Sequence, residues 1–386
     1  MKIAILGAGI GGLSSAIALK LAGFDVEVYE RHSTVLGIGA GIVCWPNASF
    51  VLEQFGVLTA VMQVSGRLNN MNRFNQDGQQ LGSLDINKLN ELMGYVSYSI
   101  IRKDLMQILT QRLLELHINI HYQHKVIALS DSDTGRVTVS FDNGKSIQPD
   151  IVIGADGRMN SITRNYVNAD NLPVYQGFIN WIGVFESSDK IFNDISVADY
   201  WGVGERFGIV PVSSHKAYWA GGIVEEKIGD RNSTNYKDEL TAIFNHWPTP
   251  IANIINNTPI SSINKLYIHD HNPIKNWHKN NALLIGDAAH AALPTSGQGA
   301  CQALEDAWHL ANSLKAHAEN ISLAFDHFTQ LRLDKTTGIT MGGRQLAAAI
   351  FNRDAEFCQQ RNLDAKANNY QNLVMGMAKI WGSGLL

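Results

Sequence analysis

Three short stretches carry residue types whose spacing can do chemistry. The first spans residues 283–290, Leu-Leu-Ile-Gly-Asp-Ala-Ala-His, and continues through Pro294 to Gly297-Gln298-Gly299. A carboxylate at the end of a buried strand, here Asp287, can hydrogen-bond a chain of sugar-like hydroxyls. Gly297 and Gly299 allow backbone N–H groups to approach a ligand, and a helix start behind them favours negative charge. A polyol beside an aromatic ring that becomes anionic on reduction meets these conditions, and that describes a flavin. The second stretch is Gly7-Ala-Gly9-Ile-Gly-Gly12, with Glu30 following 18 residues after Gly12. The third is Asp156-Gly157, with Ser161 and Arg164 beyond it. Any single Asp-Gly reads first as a turn; three strand-end motifs in this order point to a ligand crevice.

The elements around these residues make the pattern coherent. Residues 2–6 form an apolar run, the next helix places Leu13, Ile17 and Leu21 on one face, and Gly23 ends it before a strand over residues 25–30. This is the βαβ context that the glycine fingerprint requires. Gly7 permits the tight turn, Gly9 admits a pyrophosphate, Gly12 allows close helix–strand packing, and Glu30 takes the ribose hydroxyls of an ADP group. The glycine-rich stretch from Gly37 through Gly39 and Gly41 to Asn47 favours FAD over NAD, because small residues let the chain pass a ribityl chain and ring. Strands ending at Gly154 and Ile285 and a helix bearing Ala300, Leu304, Ala307, Leu310 and Leu314 complete the cofactor layer.

Between residues 171 and 269 the pattern changes to antiparallel strands around residues 177–183, 207–212, 217–221 and 266–270, interrupted by a helix over 236–244. From residue 322 onward the chain reads as three helices, over residues 323–331, 345–351 and 369–380, with the apolar end packed on the body. A net charge of −4 without a basic run argues against nucleic acid. Three widely spaced cysteines give neither a disulfide framework nor a metal pair, which fits a reducing cytoplasm. No leader is read at the N-terminus, and no run is apolar for long enough to span a membrane. His269 and His271 do not converge as metal ligands on a strand, so no metal site is read.

The order of glycine fingerprint and Glu30, Asp156-Gly157, then Gly286-Asp287 with Pro294 and Gly297-Gln298-Gly299 resembles the group A flavoprotein aromatic hydroxylases, which share the p-hydroxybenzoate hydroxylase fold. The resemblance implies an α/β fold: a Rossmann-like FAD-binding domain (residues 1–69, 100–172 and 277–315), interleaved with an antiparallel β-sheet substrate domain (70–99 and 173–276), and a helical C-terminus (316–386). It implies non-covalent FAD held by Gly7, Gly9, Gly12, Glu30, Arg31, Val43, Arg102, Val126, Asp156, Gly157, Asp287, Pro294, Gly297, Gln298 and Gly299. NADH or NADPH would serve as co-substrate. It further implies O2 activation through a flavin C4a-hydroperoxide and hydroxylation of a small aromatic or purine-like substrate, in a monomer or homodimer.

Within that family, Gly177-Phe-Ile-Asn-Trp181, Gly204-Glu-Arg206, Val210-Pro-Val-Ser213 and Tyr218 are most similar to the bacterial urate hydroxylase branch. That similarity implies urate as substrate and 5-hydroxyisourate as product. Arg206 would hold the substrate anion, with Tyr218 beside it as the second catalytic residue and Asn180 and Trp181 lining the pocket. From the residues alone, Arg206 also reads as a sheet ion pair and Tyr218, Asn180 and Trp181 as sheet packing. Ile182 departs from the branch, which carries a polar residue there. A salicylate- or hydroxybenzoate-like substrate or an antibiotic-like polycycle is the enzyme alternative, and a non-catalytic flavin-binding or redox-sensing protein the alternative of another class.

Overall fold

The computed structural model describes residues 1–35, 39–132, 136–169, 172–229 and 233–385. Gly37 of the glycine-rich stretch lies outside the described residues. The first layer is a six-stranded sheet in the order His278–Lys279, Ala282–Leu284, Ile151–Gly154, Lys2–Leu6, Asp25–Tyr29, Asn119–His121. Its pairings are parallel except at the His278–Lys279 edge. The central strands Lys2–Leu6, Ile151–Gly154 and Ala282–Leu284 are almost wholly apolar because both of their faces are covered. Ile3, Ile5 and Ile153 face the core that includes Leu13 and Ile17 of helix Ile10–Leu21 and Leu304 and Ala307 of helix Gly299–Ala316. Ala4, Leu6, Val152 and Ala282 face Val137, Val139 and Phe141 of a small antiparallel sheet. All the chemistry-bearing turns, at Gly7, Glu30, Ala155-Asp156 and Gly286, leave the same C-terminal edge of this sheet.

The second layer is a seven-stranded sheet in the order Asn264–Asp270, Val174–Glu186, Lys216–Val224, Glu205–Pro211, Val197–Trp201, Asn70–Asn75, Gln80–Asp85. Its side chains alternate between two environments. Ile179, Trp181, Phe185, Phe207, Ile209, Ala217 and Trp219 bury one face against Leu240, Phe244, Ile251 and Ile254 of helices Tyr236–Phe244 and Ile251–Asn257. The other face carries Asn180, Ile182, Val184, Arg206, Val210, Tyr218 and Ala220. Part of this face is packed by Leu293, Ala347 and Phe351 against Phe178 and Ile268.

The C-terminal region differs from the sequence reading. Residues 321–350 form a single 30-residue helix, Ile321–Ile350, instead of two separate ones. Its glycines do not break it: Gly343 sits where a Cβ would come within 3.3 Å of Ser296, and its carbonyl accepts from Thr295 Oγ1 at 2.8 Å. Two helices follow, Ala355–Ala367, capped by the Asp354 carboxylate, and Tyr370–Gly382. The apolar end packs on the body, with Trp381 against Trp45 and Lys335 Nζ donating to the carbonyls of Trp381 and Ser383. Among the described residues no helix is long and apolar enough to cross a membrane.

His309 on helix Gly299–Ala316 is buried beside Gly384. Burial, helped by Arg332 and opposed by Glu305 and Asp306, holds it down from 6.5 to about 4. A depressed histidine favours the fold above the unfolded value, and that contribution is lost as pH falls from 6.5 towards 4, where the unfolded chain takes the proton first. The slope reaches about 1.4 kcal/mol per pH unit. Denaturant unfolding at pH 7 and pH 5 is expected to show a smaller acid loss for His309→Gln than for the parent protein. Equal losses would contradict this assignment.

Candidate active site

The glycine loop is shaped by contacts that only hydrogen side chains permit. Gly7 has φ +109°, and a Cβ there would lie 2.4 Å from the Ala155 carbonyl oxygen. A Cβ at Gly12 would lie 1.9 Å from the Gly7 carbonyl oxygen, whereas nothing lies within 4 Å of a Cβ at Gly9. Gly7 and Gly12 therefore serve the fold, and Gly9 faces open space. The Glu30 carboxylate accepts from the N–H groups of Ala8 (2.8 Å) and His32 (3.0 Å), tying the loop to the second strand. A carboxylate offers about four acceptor sites, so capacity remains for ribose hydroxyls. Arg31 is exposed and donates through Nε to His32 at 3.1 Å. Val126 packs near Tyr29 and Phe141 beside the same strand end.

Further along the groove the charges are under-used. Arg158 Nη1 lies 3.0 Å from Asp287 Oδ2, and Arg102 opens helix Arg102–Glu115 within the field of both. Burial lowers the Arg102 pKa, partly offset by Asp287 and reinforced by Arg158. The Nε atoms of Arg102 and Arg158 are buried without a hydrogen-bond partner among the described residues. Such orphaned donors are costly unless a ligand meets them. Gly157, at φ +82°, and Gly299 have nothing within 4 Å of a Cβ, and Pro294 and Gly297 are exposed. Unpaired guanidinium atoms, open backbone at glycines and the start of an 18-residue helix fit a diphosphate and polyol such as those of FAD.

Beneath the groove lies a buried ionic network. Glu305 and Asp306, consecutive on helix Gly299–Ala316, meet Arg332 and Lys335 of helix Ile321–Ile350. Arg332 Nη1 bonds Glu305, Arg332 Nε lies 2.7 Å from Asp306 Oδ1, and Lys335 Nζ lies 2.8 Å from Glu305 Oε2. Asp306 Oδ2 also accepts from the Gly286 N–H (2.7 Å) and contacts His290 Nε2 (2.6 Å). Burial alone would raise the Asp306 pKa, but His290, Arg332 and the Gly286 N–H together hold it well below the carboxylate range. Asn47 bridges Glu305 (2.7 Å) and Gln298 (2.9 Å), so the network reaches the loop at Gly297–Gly299.

Asp156 is turned into the structure. Its oxygens accept from Ser161 Oγ (2.6 Å) and the Thr163 N–H (3.0 Å), shaping the start of helix Ile162–Val167; burial raises its pKa. Arg164 from that helix donates to the carbonyls of Ala288 (2.6 Å) and Ala289 (2.9 Å), bracing the turn that carries Asp287. His271 Nε2 lies 2.6 Å from the Arg158 carbonyl oxygen. The sequence reading missed Arg158, Glu305 and Asp306 as parts of this region. Two adjacent acids inside an otherwise apolar helical run were the available signal.

On the second sheet the structure brings Arg206, Tyr218 and Asn180 to one face. Arg206 and Asn180 both pair with Gly222 of the intervening strand. Ile182, Val184, Val210, Tyr218 and Ala220 are only half-buried although they lie on central strands, so this part of the sheet face is incompletely covered. The Tyr218 ring packs on Gly41, where a Cβ would come within 2.0 Å of it, and burial pushes its pKa well above 10. Cys44 and Cys301 lie nearby, and Cys301 Sγ contacts the Val43 carbonyl oxygen at 3.4 Å. Trp181 corrects the sequence reading: one residue from Asn180 on a strand, it points to the opposite face and is buried in the helix-covered core, with Lys265 Nζ 4.9 Å from its ring centre. Arg206 is in a sheet ion pair, its Nε 2.6 Å from Asp199 Oδ1, yet its terminal nitrogens have no hydrogen-bond partner among the described residues.

Known proteins resemble this chain along most of its length. The FAD binding domain family matches residues 1–324. Aurachin C monooxygenase/isomerase of Stigmatella aurantiaca is 32% identical over 346 residues, 90% of this chain and 88% of that protein. FAD-dependent urate hydroxylase of Mycolicibacterium vanbaalenii is 28% identical, covering 98% of this chain and 95% of its own. The crystal structure of Klebsiella pneumoniae HpxO complexed with FAD and uric acid superposes with a TM-score of 0.90 at 26% identity, covering 100% of this chain and 98% of that one.

Two measurements check the groove. Gly9→Ala is expected to keep the apo-protein's melting temperature and lose bound FAD, read as flavin absorbance per protein. Gly12→Ala is expected to cost at least about 1–3 kcal/mol of stability before any cofactor is added. Arg332→Met leaves Glu305 and Asp306 buried without their main partner and is expected to lose about 3–5 kcal/mol in denaturant unfolding.

Proposed function

The chain belongs to the FAD binding domain family and is an FAD-dependent aromatic monooxygenase, and from that premise we propose that it hydroxylates urate to 5-hydroxyisourate. NADH or NADPH supplies the electrons and O2 the oxygen. When bound, FAD supplies the redox chemistry, accepting hydride from the nicotinamide and activating O2. The protein's part is to bind, orient and exclude water.

The observation that carries the reading is that Arg206 and Tyr218 share one half-buried sheet face, with the Tyr218 ring packed on Gly41 of the glycine-rich stretch. With its phenol pKa raised by burial, Tyr218 remains a neutral donor at working pH. Arg206 presents terminal N–H groups that can fork onto an oxygen pair. Two donors on one sheet face, offset by four residues along the strand register, can each meet a different oxygen of a planar anion, which urate is at neutral pH. A substrate that binds as an anion is already electron-rich, and no side chain is assigned as general base. Arg102, Arg158 and Asp287 would hold the diphosphate and ribityl chain, and Gly7, Gly9, Gly12 and Glu30 the ADP half. Asp156 would act by shaping the loop at Gly157 that faces the groove.

A second reading has a specific observation behind it. Ile182, Val184, Val210 and Ala220 make most of this incompletely covered face apolar. Urate carries polar groups around its whole rim, and an unmatched polar group loses binding energy on burial. This face favours a substrate with one polar edge, such as a hydroxybenzoate-like anion or a larger apolar ring system. The relative at 32% identity is named for a different substrate from urate.

Purified holoenzyme assayed for NADH and NADPH oxidation with urate, salicylate and 4-hydroxybenzoate decides between the readings. A urate-dependent rise without matching peroxide is expected. Arg206→Gln should retain FAD and lose about 100-fold in kcat/KM for urate, the cost of removing one partner of a buried charge pair. No rise with urate, or an unchanged Arg206→Gln, would overturn the assignment.

A further inference from the structure

We propose that Asp199 is a positioning residue that fixes the substrate-facing pose of Arg206; the inference rests on the reading of Arg206 as the anion-binding residue. Asp199 sits mid-strand on Val197–Trp201 and is 5% exposed. Both of its oxygens are engaged by neighbours on the same sheet face. Oδ1 accepts from Arg206 Nε at 2.6 Å, and Oδ2 accepts from Trp201 Nε1 at 2.8 Å. The diagonal between Asp199 and Arg206 is open because the residue opposite Asp199 is Gly208. A Cβ there would lie 3.7 Å from both Asp199 Oδ1 and Arg206 Nη2, so a methyl fits and a larger side chain presses on the pair.

The clamp is itself anchored. Trp201 is buried, with the guanidinium carbons of Arg73 and Arg361 at 5.0 Å and 5.4 Å from its ring centre. Arg361 is held by the carbonyls of Gly202 (3.0 Å) and Ala349 (3.0 Å). Rigid partners therefore fix Asp199, and Asp199 holds Arg206 by its Nε edge alone. The opposite, terminal edge of the guanidinium is left without a hydrogen-bond partner among the described residues. A long arginine side chain that is already oriented gives up less freedom when an anion binds. It also fixes the ring's angle to the flavin, and a displacement of about 1 Å can cost on the order of 100-fold in rate.

Removing the Asp199 charge has two opposed effects. It takes away a negative group near the substrate anion, which favours binding, and it frees Arg206 to rotate, which spoils alignment. A positioning role therefore appears in kcat and in coupling more than in affinity. In Asp199→Asn, an NH2 group that cannot accept replaces one of the two oxygens, so the donor facing that position, Arg206 Nε or Trp201 Nε1, loses its bond.

The test compares the holoenzyme with Asp199→Asn, Trp201→Phe, Arg206→Gln and the Asp199→Asn/Arg206→Gln double variant. FAD content and melting temperature are recorded for each. The readouts are urate affinity from the flavin absorbance change, kcat for hydroxylation, and peroxide formed per NADH. Asp199→Asn is expected to bind urate within about threefold of the parent, lose about 10- to 100-fold in kcat, and divert NADH to peroxide. Trp201→Phe, which keeps the ring and removes only its donor, is expected to move the same way by less. In the Arg206→Gln background, Asp199→Asn should add almost nothing. Parental kcat and coupling in Asp199→Asn, or a full independent loss in the double variant, would overturn the inference. An unchanged Arg206→Gln would instead overturn the reading of Arg206 on which it rests.

Discussion

The structure depends on one buried charge arrangement, Arg332 between Glu305 and Asp306. Two adjacent carboxylates in a protein interior are expensive, and one cation contacting both of them repays that cost only with good geometry. Here Arg332 also donates to Gln302 Oε1 at 2.6 Å, and Lys335 supplies the second positive charge. The spare acceptor capacity of the two acids is spent on the functional loop: Asp306 on Gly286 and His290, Glu305 on Asn47. The turn bearing Asp287 and the loop at Gly297–Gly299 thus take their positions from charges lying beneath them. Arg164 braces the same turn from the other side.

That constraint explains how two sheets with different folding rules share one site. The parallel sheet delivers its loops to a single edge, where glycines and unpaired guanidinium atoms leave room and charge for FAD. The antiparallel sheet offers a face with two donors set in apolar surroundings. Leu293 from the loop, with Ala347 of the long helix and Phe351 just after its end, packs against Phe178 and Ile268 and joins the two. The reactivity belongs to the cofactor; the chain contributes alignment and a field.

The cofactor half was legible in the sequence because its signals are local. Gly7, Gly9, Gly12 and Glu30 are tied together by turn geometry and one strand–helix–strand unit, and Gly286-Asp287 follows an apolar run directly. The charge network was not legible: Glu305 and Arg332 are far apart in sequence and meet only when two helices pack. The apolar spacing predicts separate helices over 323–331 and 345–351, whereas the helix Ile321–Ile350 runs unbroken through its glycines, with a tertiary contact to Ser296 at Gly343. Neighbours on a strand face opposite sides, so Asn180 and Trp181 could not both line one pocket. Asp199 gave no local signal, since its value lies in the cross-strand diagonal to Arg206.

The most direct measurement is oxygen-isotope transfer by the holoenzyme under 18O2 with urate and NADH or NADPH. Monooxygenation of a bound urate anion predicts one labelled oxygen atom in each product molecule and one nicotinamide oxidised per product. Unlabelled product, or nicotinamide oxidation balanced entirely by peroxide with urate unchanged, would contradict it.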